Sequence, residues 1–164
     1  MLNRRNLFAA GAGAAAATLL ATQTAHAEDG AEATLTAYLA AWNAHDSAAA
    51  AAHFAEDVSY FDASVGTAIT GSEAAKTGVI DNFLTAVPDA SWQMTGAPIV
   101  QGDRIAFEWE FSGTNTGAWG DGTPATGKTF RFPGASLFTI TGGKIKVQND
   151  YYDALGFYKQ LGLM

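Results

Sequence analysis

The residues of this chain whose types and places could do chemistry are a few carboxylates with His45, His53 and Tyr60. From Ile145 to Asp153, strict alternation puts Ile145, Val147, Asn149, Tyr151 and Asp153 on one face of a strand, and Lys146, Gln148, Asp150 and Tyr152 on the other. Asp153 then falls on the apolar face, where desolvation would raise its pKa toward the neutral range that suits a general acid/base. A break in the alternation brings Asp150 inward instead. Asp153 is equally placed to cap a helix that begins at Ala154. Tyr60 and Asp62 share a face with Val58, so the Tyr60 hydroxyl or the Asp62 carboxylate can look into the same interior. His45, in a turn beside Asp46, is a side chain that changes charge near neutrality and fits either an exposed turn or a pocket. His53 directly precedes Phe54 and reads as a packing residue.

Several chemistries are excluded. The chain has no Cys, so disulfides, thiolate metal sites and a cysteine nucleophile are absent. His45 and His53 have neither H-x-x-x-H nor H-x-H spacing, and no metal is expected. No G-x-S-x-G elbow is present, which argues against a serine hydrolase. Gly122-Thr123-Pro124-Ala125-Thr126-Gly127-Lys128-Thr129 matches the phosphate-loop pattern letter for letter. A phosphate loop must open a helix whose amides face the phosphates, whereas Thr129 to Phe132 alternates like a strand and runs into Pro133. The segment reads as a Gly-rich loop, and no nucleotide or other cofactor is expected.

These residues need elements to hold them. Met1 to Ala27 opens with Arg4-Arg5, continues through an uncharged Ala/Gly/Leu run and ends in Ala25-His26-Ala27. A basic start, an apolar run and an Ala-x-Ala site predict a twin-arginine-type export signal cleaved before Glu28, hence a periplasmic or secreted protein without a membrane anchor. The domain proper is then 28–164. With 9 Lys+Arg against 16 Asp+Glu, the surface repels phosphate backbones, and nucleic acid is not an expected partner.

Leu35, Tyr38, Leu39 and Trp42 fall at i, i+3, i+4 and i+7, which predicts a first helix ending near Ala44. Asp46 is placed to cap a short second helix running through His53-Phe54, with Asp57 at its end, before a strand over Val58 to Asp62. Thr70 and Glu73 have capping-box spacing ahead of a third helix that Pro88 stops. After Pro88 the pattern has a period of two. It predicts strands at Trp92–Val100, Ile105–Phe111, Lys128–Phe132, Ala135–Thr141 and Lys144–Tyr152, followed by a short last helix carrying Leu155, Tyr158 and Leu161. Helices first and an antiparallel run second is an α+β cone, one curved sheet wrapped around three N-terminal helices. Trp42, Tyr60, Trp109, Phe111, Phe132 and Tyr151 supply aromatic walls for a pocket at its open end, with Asp62 among them. Trp119, on a Gly-rich loop, is either a lid for that pocket or cover for a partner subunit.

Trp42-Asn43-Ala44-His45-Asp46, Phe54-Ala55-Glu56-Asp57-Val58, Ala125-Thr126-Gly127-Lys128, Gly143-Lys144-Ile145, Asp150-Tyr151-Tyr152-Asp153 and Gln160-Leu161-Gly162 follow one another in an order and spacing that resemble the SnoaL-like polyketide or ester cyclase branch of the nuclear transport factor 2-like superfamily. The resemblance implies a cone with a deep pocket, dimerisation through the sheet and cofactor-free acid/base chemistry on an activated carbon acid. It also implies a catalytic Asp on the last strand shortly before the Gln-Leu-Gly ending, a place that Asp153 matches better than Asp150. The same cone hosts isomerases, dehydratases, hydrolases and plain binding proteins. The reading is therefore an exported enzyme using Asp153 or Asp150, with help from Tyr60 or His45, on a small hydrophobic molecule. The alternative is a non-catalytic periplasmic binder of such a molecule.

Overall fold

The computed structural model describes residues 30–164; the expected export segment lies outside them. Helix α1 covers residues 30–43 and buries Leu35, Tyr38, Leu39 and Trp42, the stripe that its spacing demands. His45 takes the left-handed conformation (φ 57°) that reverses the chain. Asp46 then caps α2 (Ser47–Ala51) by accepting from the Ala49 amide. This helix stops earlier than its Ala-rich sequence suggests, and Asp57 lies within strand β1 (Phe54–Asp62), exposed and paired with Lys146 at 2.7 Å.

Strand β2 (Ala68–Thr70) leads into a helical stretch made of α3 (Ser72–Ala75), a π-helical segment (Lys76–Asp81) and α4 (Asn82–Ala86). The expected capping box does not form. Gly71, at φ 101°, is the N-cap, and Thr70 stays in the ladder opposite Ser59. Only a glycine turns the chain this sharply without strain, which moves the cap one residue past Thr70.

The remaining strands are β3 (Ser91–Met94), β4 (Ile99–Gln101), β5 (Arg104–Thr114), β6 (Thr129–Thr141) and β7 (Lys144–Tyr152), followed by α5 (Ala154–Leu161). They form one seven-stranded sheet in the order β2-β1-β7-β6-β5-β3, with β4 also paired to β5. The sheet is curved and unclosed, and β1 runs parallel to β7 while its other neighbours pair antiparallel. The fold is thus the α+β cone that the sequence predicts, with the core between helices and concave face.

Two strand expectations change. Trp92–Val100 is two short strands, because the chain leaves the ladder around Gly96 and Pro98. Lys128–Phe132 and Ala135–Thr141 are one strand, β6, that passes through Pro133. On the same side of β6, two residues earlier, the Arg131 amide bonds Gln160 Oε1 of α5 rather than a strand, and β7 pairing begins only at Gly134. The missing amide of Pro133 therefore removes no ladder bond. Among the described residues no helix is long and apolar enough to cross a membrane.

Candidate active site

The site is decided by an irregularity in β7. Pairing with β6 steps from Thr139–Val147 directly to Ile140–Ile145, leaving Lys146 as an extra residue in a bulge. Before the bulge Ile145 faces the core. After it Gln148 and Asp150 do, both nearly inaccessible to solvent. Strict alternation through this point put Tyr151 and Asp153 inside, and the structure reverses both. Tyr151 lies on the outer face of the sheet, 49% exposed, against Phe61. Asp153 caps α5, its Oδ1 accepting from the Gly156 amide at 2.8 Å at the exposed surface. Tyr152 takes the inward place that Tyr151 was expected to hold.

Asp150 sits among fixed donors. Tyr60 on β1 donates to its Oδ2 at 2.8 Å, Gln148 Nε2 to the same oxygen at 2.8 Å, and Ser136 on β6 to its Oδ1 at 2.6 Å. Ser136 Oγ in turn accepts from the Trp109 indole at 2.7 Å. An indole nitrogen only donates, so Ser136 must spend its own hydrogen on Asp150, and the direction of this chain is set. Trp109 reaches Ser136 because its cross-strand neighbour is Gly134, where a Cβ would press into the indole ring.

Asp62 is the register partner of Asp150 on the adjacent strand. Its Oδ1 accepts from the Tyr152 hydroxyl at 2.8 Å and from both the amide and the hydroxyl of Ser64. Burial raises the pKa of both carboxyls. That of Asp150 is pushed up to about 7, by burial first and by the nearby Asp62 charge second, against the pull of its three donors. Burial also holds the Tyr60 and Tyr152 hydroxyls well above the usual tyrosine value, so they act as donors that keep their protons.

The cavity in front of this pair is lined by Trp42, Trp92, Trp109, Phe111, Phe132 and Tyr60, with Val79, Phe83, Tyr152 and the two carboxylates completing it. Its volume, traced by the centre of a water-sized sphere, is about 30 Å³. That is room for about two waters, so a guest must be small or must displace aromatic rings. Phe83 separates it from an outer cavity of about 520 Å³, touching Trp119 and Phe157 on the outer wall. Trp119 is thus packed on the aromatic core against Phe83 and Phe157.

The expected site residues divide accordingly. Trp42, Tyr60, Asp62, Trp109, Phe111, Phe132 and Asp150 converge on one cavity. Asp153, Tyr151 and His45 do not; the exposed His45 ring bonds the Ala90 carbonyl through Nε2 at 2.8 Å and holds the turn after α1. Ser136, Gln148, Trp92 and Tyr152 are site residues that sequence reasoning missed. Among the described residues no three His, Cys, Asp or Glu side chains gather as metal ligands. The Gly-rich loop at 122–127 enters β6, not a helix, in line with the strand-like alternation from Thr129 to Phe132.

The chemistry open to this arrangement is proton transfer. A carboxylate titrating near neutrality, oriented by donors of fixed sense inside an apolar cavity, is equipped as a general base. Comparison with known proteins gives the class. Residues 35–148 match the family model described as a SnoaL-like domain, and the chain belongs to that family. No curated protein matches it. Among solved structures, a Catenulispora acidiphila protein with a ketosteroid isomerase-like fold, in complex with trimethylamine, is 26% identical over 79% of this chain and 92% of its own, with a TM-score of 0.66. A candidate polyketide cyclase of Pseudomonas putida is 25% identical over 77% and 94%, with a TM-score of 0.66. A candidate SnoaL-like polyketide cyclase of a Jannaschia species shares the fold at 15% identity over 84% and 95%, with a TM-score of 0.71.

Proposed function

We propose that this chain is an exported, cofactor-free acid/base enzyme of the cyclase or isomerase type, in which Asp150 moves a proton on a small apolar molecule bearing a carbonyl group. The observation that carries the reading is the setting of Asp150: buried, titrating near pH 7 and held by Tyr60, Ser136 and Gln148 at the wall of an aromatic cavity. Asp150 takes the proton from the carbon beside the carbonyl and returns it at a second position. Tyr60 steadies the carboxylate as its charge changes. The narrow cavity favours small guests, and the Catenulispora relative is itself in complex with a small molecule, trimethylamine.

A substrate-independent probe is uptake of solvent deuterium beside the carbonyl of cyclopentanone. Asp150→Asn is expected to slow the protein-catalysed exchange by about 100-fold or more, the usual scale for a positioned proton-transfer group. The competing reading, a non-catalytic binder, is favoured by the three donors that already satisfy Asp150 without a guest. Cyclopentanone bound by the unaltered protein with no catalysed exchange would decide for it.

Two further parts of the reading concern location and assembly. The segment 1–27 directs twin-arginine export, with a mature start at Glu28; unchanged export after Arg4 and Arg5 become Lys would remove that assignment. The outer sheet face carries Leu137 and Tyr151, 41% and 49% exposed, together with Phe61, and Glu108 lies exposed at its border. This apolar patch supports docking of a second copy of the chain, face to face across the sheet.

A further inference from the structure

The inner cavity is walled mainly by α1 and the sheet. Val79, in the π-helical segment, and Phe83, on α4, are the lining residues that come from elsewhere. Polar groups of the sheet wall are pinned by hydrogen bonds: the Trp109 indole on Ser136, the Tyr60 hydroxyl on Asp150 and the Tyr152 hydroxyl on Asp62. Phe83 is held by packing. Its ring stands edge-on to Phe111 of the inner wall, with ring centres 5.6 Å apart. On its other side Trp119, at 5.4 Å, and Phe157, at 6.2 Å, complete a triangle of rings, themselves in contact at 6.0 Å. Both of these line the outer cavity. The wall between about 30 Å³ inside and about 520 Å³ outside is therefore Phe83 on the inner side, with Trp119 and Phe157 behind it.

This wall is fastened in place. The Gly120 amide donates to Asn82 Oδ1 at 2.6 Å, while the Gly117 amide and Asn115 Nδ2 each donate to the Ala86 carbonyl at 3.0 Å. Asn82 and Ala86 are the first and last residues of α4, so the loop that carries Trp119 is tied to both ends of the helix that carries Phe83. A Cβ at Gly117 would collide with the Thr85 carbonyl, which shows how closely the two backbones lie. A tied wall limits what fits.

We propose that Phe83 is the specificity-determining residue of the Asp150 site: its ring holds the guest to a ketone of one small ring or less, and its removal joins the two cavities into one site that takes a second fused ring. The reasoning is steric. A guest whose carbonyl lies against Asp150 has Phe83 in the way of any further ring. Beyond Phe83 the space is walled by Val65, Tyr158 and Leu163 beside Trp119 and Phe157, which suits a neutral apolar ring and rewards its burial. The inference rests on the acid/base reading for the ketone class of guest, but its test is binding and needs no turnover.

Affinities for cyclopentanone and for β-tetralone, a ketone of two fused rings, are measured by NMR titration of the full chain and of Phe83→Ala. Overhauser contacts from the ketone to the Trp109 ring protons place it in the inner cavity. The unaltered chain is expected to bring cyclopentanone, and not β-tetralone, to Trp109. In Phe83→Ala both are expected to reach it, with the preference for β-tetralone over cyclopentanone raised by about tenfold or more, and the melting temperature is expected to fall for the lost core ring. Phe83→Leu, which keeps an apolar side chain, is expected to move the preference the same way by less, and it carries the test if the Ala variant does not fold. Contact of β-tetralone with Trp109 in the unaltered chain overturns the proposal, because the ring then excludes nothing. An unchanged preference in the folded variants overturns it too, as does failure of cyclopentanone to reach Trp109 in the unaltered chain or of β-tetralone to reach it in the folded variants. The acid/base reading fails by a different result, full exchange activity in Asp150→Asn.

Discussion

Asp150 makes the stability of the fold depend on pH in a direction opposite to that of an ordinary surface carboxylate. Its carboxyl would titrate at 3.8 in an unperturbed setting and is pushed up to about 7 in the folded chain, by burial first and by Asp62 second. Below the lower value both folded and unfolded chains hold the proton, and the contribution to stability is fully present. Between the two values the folded chain keeps a proton that the unfolded chain has released, so stability is lost as pH rises. Above the folded value both have released it, and the loss is complete. At about 1.4 kcal/mol per pH unit, the whole interval is worth on the order of 4 kcal/mol. Asp62, also raised by burial, adds in the same direction, whereas Asp57, Asp81, Asp89 and Asp121 are lowered and contribute stability that is lost as pH falls. Comparison with Asp150→Asn isolates the one group. The Asn variant changes the hydrogen bonds to Tyr60 and Gln148 at every pH, a constant offset that leaves the slope untouched. Urea unfolding of both proteins at pH 4 to 8 is expected to show the native chain losing about 4 kcal/mol relative to Asp150→Asn across that range. A flat difference would refute the argument that the fold holds Asp150 in a dry site.

Gly134→Ala forces a Cβ into the Trp109 ring and breaks its bond to Ser136, with an expected cost of about 1–3 kcal/mol from overpacking; Trp109→Phe in the same chain should recover part of it, and simple additivity in a double-mutant cycle would contradict the clash. Asp153→Ala removes the α5 cap and is expected to cost about 1 kcal/mol in thermal or urea melts, leaving deuterium exchange into cyclopentanone intact; lost exchange with the fold retained would move the reactive carboxylate back to Asp153. Leu137→Asp places a charge in the middle of the outer apolar face and is expected to yield monomers by light scattering, against dimers for the unaltered chain.

Much of the fold was legible because core positions keep their period. The α1 stripe and the alternation Ile105, Phe107, Trp109, Phe111 both lead to buried faces. What failed are places where one residue overrides a local rule. Gly71 moves the cap off Thr70, and Pro133 sits on a side of β6 with no strand to serve, which only the packing of Gln160 reveals. In the site, Tyr60, Asp62 and the aromatic walls were readable from alternation. The choice between Asp150 and Asp153 was not, because a single extra residue at Lys146 inverts every inward position after it, and nothing in Lys144-Ile145-Lys146-Val147 marks a bulge. Ser136 and Gln148 carried no signal of their own. A serine and a glutamine among strand residues become functional only through the partners that the sheet register brings to them.

The most direct measurement is the carbon-13 titration of the Asp150 carboxyl in the unaltered protein. A midpoint near 7, absent from Asp150→Asn, is the result expected of a buried carboxylate poised to accept and return a proton at neutral pH. A midpoint near 4, in the range of an ordinary exposed carboxylate, would mean that the cavity holds a permanent anion, and would contradict acid/base catalysis by Asp150.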